Sequence, residues 1–386
     1  MRSHTGTAHA AARAVVFAAG LLLPASASAQ GTSYTRVSLT TSQIHDSNLF
    51  GAPTEDRTSD LILRFGPLFE TGYRSPSFDI DGRYGADADR YAYRPSFNAA
   101  LARQDASLRL RRSATRRMSL AFGASYLSTQ TPHELNLESG LLAGRARASR
   151  LTAGPTLEYD WGPRTKLTSA YDFARDTLAG GIAATVHRAR LEIVRRQDRR
   201  TTRRVEYRFR AFEFGGTSGR SSHVLVVGWE RAITRGAGID LVLGPRLSGG
   251  DIRPEIAAAF RVQSRQAHWT LGYSRTETTA IGERGTFDVQ RVAVEIAYAA
   301  TRDLSFTAAP ALFSLERDAG RASIFALDVE ASHRATPLLS FSASARVSRQ
   351  RGPLAGGFVE VPSRTLSVKT TVRFPRTPRG STTRTR

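Results

Sequence analysis

The sequence lacks cysteine, has only two lysines among its 55 basic residues, and has no long hydrophobic run. The absence of cysteine excludes disulfide scaffolds and cysteine-ligated metal sites. Because no run approaches the ~18 apolar residues that a spanning helix needs, a polytopic helical membrane protein is excluded as well. A membrane β-barrel is still compatible, since its strands alternate apolar and polar residues and so have a low mean hydropathy.

Aromatic residues and arginines, in contrast, are plentiful. The chain of 386 residues has 19 Phe, 11 Tyr and 3 Trp, which argues against a disordered protein. Its formal charge of +21 comes almost wholly from arginine. We attribute the preference for arginine over lysine to codon composition, and we infer no binding partner from the net charge.

The N-terminal 29 residues have the pattern of a secretory signal peptide. Arg2 and Arg13 form a basic region, residues 14–23 an apolar region, and residues 27–29 an A-x-A cleavage site. We therefore expect cleavage at this site and export into the periplasm.

The rest of the chain alternates apolar and polar residues with a period of two. In residues 339–348, every second residue is Leu, Phe, Ala or Val, and the intervening residues are Ser and Arg. Such segments run for about 10 to 14 residues, longer than the ~5–6 of sandwich strands and enough for the ~9–11 of a tilted membrane strand. The pattern predicts an all-β protein, a transmembrane up-and-down antiparallel barrel of about eighteen strands over residues 30–374.

The predicted connections alternate in length. Those after even-numbered strands are tight, as at residues 162–163 and 301–302, whereas those after odd-numbered strands are mostly longer, as at residues 43–58, 129–146 and 350–361. Short turns on the periplasmic side and long loops outside are typical of bacterial outer-membrane barrels. Both termini would then lie on the periplasmic side.

Five prolines fall inside the predicted strands, where proline cannot donate to the ladder. They are Pro67, Pro155, Pro245, Pro254 and Pro310. We expect bulges or frayed rims at these positions, because bulges are common at barrel rims. If they lie in loops instead, the strand count falls to sixteen.

The last predicted strand alternates from Leu366 and ends at Phe374. Outer-membrane barrels typically close with a strand that ends in Phe, which the barrel-assembly machinery reads, so the chain resembles that class here. Residues 375–386 follow as a basic tail, which we expect to be disordered, with contacts to an acidic partner or lipid headgroups as the alternative.

Sites for chemistry are scarce in this sequence. No two histidines of the mature chain have metal-ligand spacing, and we expect no metal, cofactor or enzymatic activity. His45, Asp46, His133 and Glu134 are weak candidates for a catalytic set at the outer rim. Arginine pairs at the predicted turns suit solvent and outer-membrane lipid headgroups, and we expect no nucleic-acid binding.

The first connection carries a family resemblance. Asp46, Asn48 and Phe50 follow the first strand, and Asp60 opens the second. This arrangement resembles the β-barrel porin family found with bacterial exopolysaccharide and exosortase gene clusters, although Ser47 replaces the second Asp of its motif. The resemblance implies an outer-membrane barrel with a role in polysaccharide export or secretion. Independently of it, Asp46 and Asn48 are turn-forming residues that can bond nearby backbone amides.

A barrel of sixteen to eighteen strands has an aqueous lumen. The predicted lining residues, on the polar face of two neighbouring strands, are Arg188, Arg190, Glu192, Glu206, Arg208 and Arg210. If the lumen has a net positive charge, small anionic solutes or an anionic polysaccharide should be favoured. The sequence thus predicts a porin-like channel or conduit, and a non-conducting structural or adhesin-type barrel is the alternative.

Overall fold

The computed structural model describes residues 31–142, 144–317, 320–354 and 357–374. The predicted signal peptide, residues 1–29, and the predicted basic tail, residues 375–386, lie outside the described residues. Among the described residues, no helix is both long enough and apolar enough to cross a membrane.

Eighteen antiparallel strands form one continuous sheet. The strands are β1 (Thr32–Asp46), β2 (Asp60–Arg74), β3 (Phe78–Tyr91), β4 (Ala99–Ser113), β5 (Met118–Thr129), β6 (Ala148–Gly162), β7 (Thr165–Leu178), β8 (Ala184–Arg196), β9 (Thr201–Phe214), β10 (Thr217–Ala232), β11 (Ala237–Ser248), β12 (Asp251–Gln263), β13 (Ala267–Thr279), β14 (Thr286–Ala299), β15 (Leu304–Arg317), β16 (Gly320–Arg334), β17 (Leu339–Leu354) and β18 (Gly357–Arg373). Three single 3-10 turns, at Thr54–Asp56, Pro95–Phe97 and Pro132–Leu135, lie in the connections.

The sheet closes into a barrel because β1 pairs with β18. Their ladder runs from Ser38 opposite Arg373 to Asp46 opposite Thr365. Next to the pair Ser38 and Arg373, the Phe374 amide donates a 2.9 Å hydrogen bond to the Val37 carbonyl. The predicted all-β, eighteen-stranded antiparallel barrel is therefore confirmed.

The connections differ at the two ends of the barrel only in part as the sequence predicts, because two-residue turns also follow β9 and β11 at the long-loop end. Turns after even-numbered strands have two to four residues, whereas residues 47–59 and 130–147 form long loops at the opposite end. The long connection expected at residues 350–361 is wrong. The β17–β18 ladder continues to Leu354 opposite Gly357, and Glu360 pairs with Arg349 and Arg351 across it. These ion pairs and the ladder outweigh the loop tendency of the glycines and proline.

The expected bulges are wrong at four of the five prolines, whereas Pro254 lies beyond the end of the β12–β13 ladder at Ile256, as expected of a frayed rim. Pro67, Pro155, Pro245 and Pro310 each remain in register with one neighbouring strand, and each interrupts two residue pairs on its other side. The register is the same before and after each gap. A Cβ on Gly244 would collide with the Leu225 carbonyl oxygen, so glycine before proline lets the facing backbone approach closely.

The outer surface of the barrel is apolar. Large side chains such as Leu63, Val227 and Leu243 are more than half exposed on it. The only three tryptophans of the chain are Trp161, Trp229 and Trp269, and all of them lie near the short-turn ends of their strands. An apolar band bordered by aromatic side chains is the pattern of a membrane-spanning barrel.

Candidate functional site

The inner face of the barrel is polar, and the six predicted lining residues lie together on it. The β8–β9 ladder sets Arg188, Arg190 and Glu192 opposite Arg210, Arg208 and Glu206 respectively. The intervening side chains, including Leu191 and Tyr207, are exposed on the outer face. The alternation inferred from the sequence therefore places these charges inside the barrel.

The long connection between β5 and β6 folds into the lumen, and we call its described residues, 130–142 and 144–147, the inward loop. The Asn136 side-chain oxygen accepts a 2.9 Å hydrogen bond from the amide of Ile281, between β13 and β14. The Leu142 amide donates a 2.9 Å bond to Gln350 on β17. Because the loop starts at β5 and contacts strands on the far side of the sheet, it crosses the interior.

The end of the β13–β14 hairpin on the long-loop side of the barrel bends inward and contacts this loop; we call it the tucked hairpin. The β12–β13 ladder ends at Ile256 opposite Arg275, although β13 continues to pair with β14 as far as Thr279. Residues 277–281 are all buried, and Gly282 forms an isolated bridge with Ile182, between β7 and β8. The two elements together narrow the end of the barrel that carries the long loops.

A buried charge cluster holds the tucked hairpin against the wall. Arg246 on β11 is only 1% exposed. Its guanidinium lies 3.0 Å from Glu255, 3.3 Å from Asp288 and 4.0 Å from Glu277. Arg210 adds a 2.7 Å contact to Glu255. Buried charges are tolerated when they are paired in this way, and these contacts join the hairpin to β9, β11 and β12.

Two cavities remain within the barrel beside the inward loop. The larger, of about 480 Å³, lies against β1, β2 and β15 to β18. Its charged lining consists of Asp46, Arg64, Glu134, Arg145, Asp328, Glu330 and Arg346. The smaller, of about 370 Å³, lies against β7 to β9 and contains five of the six predicted lining residues. Glu192 lies on the same face but does not line it.

Arg188 and Arg190 are the basic side chains most open to the smaller cavity. They are 38% and 44% exposed, and their nearest carboxylate contacts are long, at 3.9 Å to Glu138 and 4.0 Å to Glu206. Glu206 itself is held by Arg208 at 2.6 Å. Asp172 lies opposite Arg188 in the β7–β8 ladder and offsets part of the positive charge. Two arginines thus keep hydrogen-bond donors directed at this space.

A third cavity, of about 810 Å³, opens at the short-turn end of the barrel. Its charged lining is Arg164, Arg196, Asp198, Arg199, Arg200 and Glu230. The Asp198 carboxylate accepts backbone bonds of 2.7 Å from Arg200 and 2.9 Å from Thr201, and the first of these bonds lowers the pKa of Asp198. This mouth therefore has more basic than acidic groups.

The residues that carry the family resemblance anchor the first loop. The Asn48 amide donates to Asp46, and the Asn48 side chain donates to the carbonyls of Ala52 and of Pro362 on β18. Phe50 packs on Phe97 with 5.5 Å between ring centroids.

Asp60, 1% exposed, accepts bonds from the amides of Leu61 and Tyr93. Of the motif residues, only Asp46 lines the larger cavity, with His133 and Glu134, while His45 is exposed on the outer face. Across the described ranges, no group of three His, Asp or Glu side chains could hold a metal ion.

The sequence predicts a long connection at residues 129–146, but neither its position inside the lumen nor the charge cluster. Leu135 and Leu141 in the loop are 3% and 8% exposed, and such apolar residues in a long connection are a signal that it packs inside. The charge cluster leaves no comparable signal, because its members alternate like any lumen-facing residues.

Three solved structures have a similar fold at low sequence identity. Acinetobacter baumannii OccAB3 aligns with a TM-score of 0.52 and 13% identity, over 89% of this chain and 99% of that chain. Pseudomonas aeruginosa OpdQ and OpdO each align with a TM-score of 0.50, at 11% and 14% identity, over 89% of this chain and 98% of theirs. No protein-family model and no curated protein sequence matches the chain. The chain thus has the closed eighteen-stranded barrel fold of outer-membrane porin structures.

Proposed function

We propose that this protein is a porin-like channel of the bacterial outer membrane that admits small anionic solutes. The observation that carries the proposal is the pair Arg188 and Arg190, which remain 38% and 44% exposed in the smaller cavity. A guanidinium binds carboxylate or phosphate through paired hydrogen bonds, and the arginine-rich mouth lies at the short-turn end of the same lumen. A solute passing both would meet the open guanidinium groups of Arg188 and Arg190, in a cavity lined by four arginines and four carboxylates, and a mouth with four arginines and two carboxylates.

The outer face supports the location. Its apolar band and the tryptophans at the short-turn end suit a lipid environment, as does the barrel fold. We infer that the short turns face the periplasm and the long loops face outward.

The size of the cavities supports small solutes. Cavities of about 480 and 370 Å³ are in the range of pockets that hold drug-sized molecules, ~300–1,000 Å³. An extended polymer would require the inward loop to leave the lumen. A role in exopolysaccharide export is proposed from the resemblance at Asp46, Asn48, Phe50 and Asp60, and polysaccharide synthase genes beside this gene would support it.

The test is single-channel recording on purified protein in planar bilayers. We expect anion-selective conductance, and the double variant Arg188→Gln/Arg190→Gln should reduce the anion-to-cation permeability ratio by about fivefold, the effect of ~1 kcal/mol. The matched control Arg90→Gln/Arg112→Gln removes the same charge from the outer face, where these residues lie opposite Leu63 and Leu120, and should leave the ratio unchanged. A folded protein without conductance would instead favour the non-conducting scaffold or adhesin barrel.

A further inference from the structure

Two arginines lie directly opposite each other on the outer face of β8 and β9. The ladder pairs Arg195 with Arg203, and the pair Ile193 and Val205 lies two residues away along each strand. Ile193 and Val205 are exposed on the apolar outer surface at 40% and 49%. Because side chains two apart in a strand share a face, Arg195 and Arg203 point outward at the short-turn end of this surface.

Tryptophans stand on both sides of this pair. Trp229 is opposite Arg203 in the β9–β10 ladder, and Thr165 is opposite Arg195 in the β7–β8 ladder. One strand further on, Trp161 at the end of β6 is 64% exposed. Tryptophan concentrates at the headgroup level of a bilayer, so the two arginines lie where lipid phosphates lie.

The pair has no acidic partner within the described part of the chain. Arg195 and Arg203 form none of the ion pairs found there. Asp198, in the turn between β8 and β9, already accepts two backbone hydrogen bonds. It also interacts with the charge of Arg231, an arginine on the outer face. Like charges directly opposite in a ladder have Cβ atoms about 4.5–5.5 Å apart and destabilise it. An anion bound between them would remove this repulsion.

We propose that Arg195 and Arg203 form a binding site for the phosphate of an anionic phospholipid in the periplasmic leaflet. Two adjacent guanidinium groups can donate to a phosphodiester from both sides, and Trp161 and Trp229 border the space for the glycerol and the upper acyl chains. The site does not line the lumen. It needs the barrel to lie in a membrane and is independent of whether the barrel conducts.

The tryptophans themselves provide the measurement. The full-length protein is reconstituted in phosphatidylethanolamine vesicles that contain brominated phosphatidylglycerol or, separately, brominated phosphatidylcholine, and bromine quenches the fluorescence of nearby tryptophan. The variant Trp269→Phe leaves Trp161 and Trp229 as reporters. The variant Trp161→Phe/Trp229→Phe leaves Trp269 as an internal reference for bulk lipid.

We expect phosphatidylglycerol to be preferred at the reporters by about fivefold or more over phosphatidylcholine, because each arginine near the surface contributes roughly that factor. The substitution Arg195→Gln/Arg203→Gln should abolish the preference. The control Arg196→Gln/Arg199→Gln removes two arginines of the same hairpin that line the lumen mouth, and it should retain the preference.

Equal quenching by the two lipids at the reporters, or a preference that survives Arg195→Gln/Arg203→Gln, would overturn the proposal. A preference that is lost when millimolar inorganic phosphate is added would show a general phosphate site rather than a lipid site, and would also overturn it. Single-channel conductance of Arg195→Gln/Arg203→Gln separates this proposal from the channel proposal, since we expect that conductance to stay unchanged.

Discussion

Asn136 is the residue through which the inward loop is fastened to the tucked hairpin, and its replacement tests whether the loop constricts the lumen. The side chain is 2% exposed and makes two bonds, accepting from the Ile281 amide at 2.9 Å and donating to the Leu141 carbonyl at 3.2 Å. In Asn136→Leu both backbone groups stay buried without a partner, at a cost of about 1–3 kcal/mol each. A total of at least ~2 kcal/mol raises the population of the released loop by at least about 30-fold.

Single-channel recording measures this release. We expect Asn136→Leu to show larger mean conductance and frequent switching between levels, with normal heat-modifiable migration on gels as evidence of folding. The control Asn98→Ala removes a comparable 2.8 Å bond to the Tyr91 amide in the β3–β4 connection, and its currents should match wild type. If a folded Asn136→Leu protein gave currents identical to wild type, the loop would not be the constriction.

Three further outcomes follow from the same contacts. Burial, reinforced by the charge of Arg346, lowers the pKa of His133 below its usual value of ~6.5. Because the packed loop holds His133 neutral, the loop is fully stable above about pH 6.5 and loses stability as the pH falls below it. Channel noise should therefore rise in wild type as the pH falls below about 6.5, and the rise should be absent in His133→Gln. Arg246→Met removes one guanidinium shared by three buried carboxylates, which keep Arg210, Arg275 and Arg220 as partners, and should destabilise the barrel by about 1.5–3 kcal/mol, measured as a lower urea midpoint. Gly244→Ala forces a Cβ onto the carbonyl of the facing strand and should cost about 1–3 kcal/mol in the same assay, whereas Gly123→Ala, with open space around its Cβ, should be neutral.

The barrel could be predicted from the sequence because its information is local. A period of two, as in residues 339–348, specifies both a strand and the face that turns to lipid, and the order of short and long connections specifies the topology. The same periodicity places Arg188 and Arg208 on the inner face without any knowledge of the fold.

The interior arrangement could not be predicted, since it depends on contacts between residues far apart in the chain. The hydrogen bond from the Ile281 amide to Asn136 joins two connections that are separated in the chain by eight strands, β6 to β13. Alternation says that Arg246 on β11 faces inward, but not that the β13–β14 hairpin, two strands away, folds back to bury it. The bulges were predicted from a local rule about proline in strands. The rule does not include the facing strand, which stays in register because Gly244 leaves room for its backbone.

The most direct measurement is the zero-current potential of the purified full-length protein in a planar bilayer under a salt gradient. The proposed function requires that the protein conducts and that the potential has the sign of anion preference, because Arg188, Arg190 and the arginine-rich mouth lie along the path. A protein that folds into the bilayer and does not conduct, or that prefers cations, would contradict it.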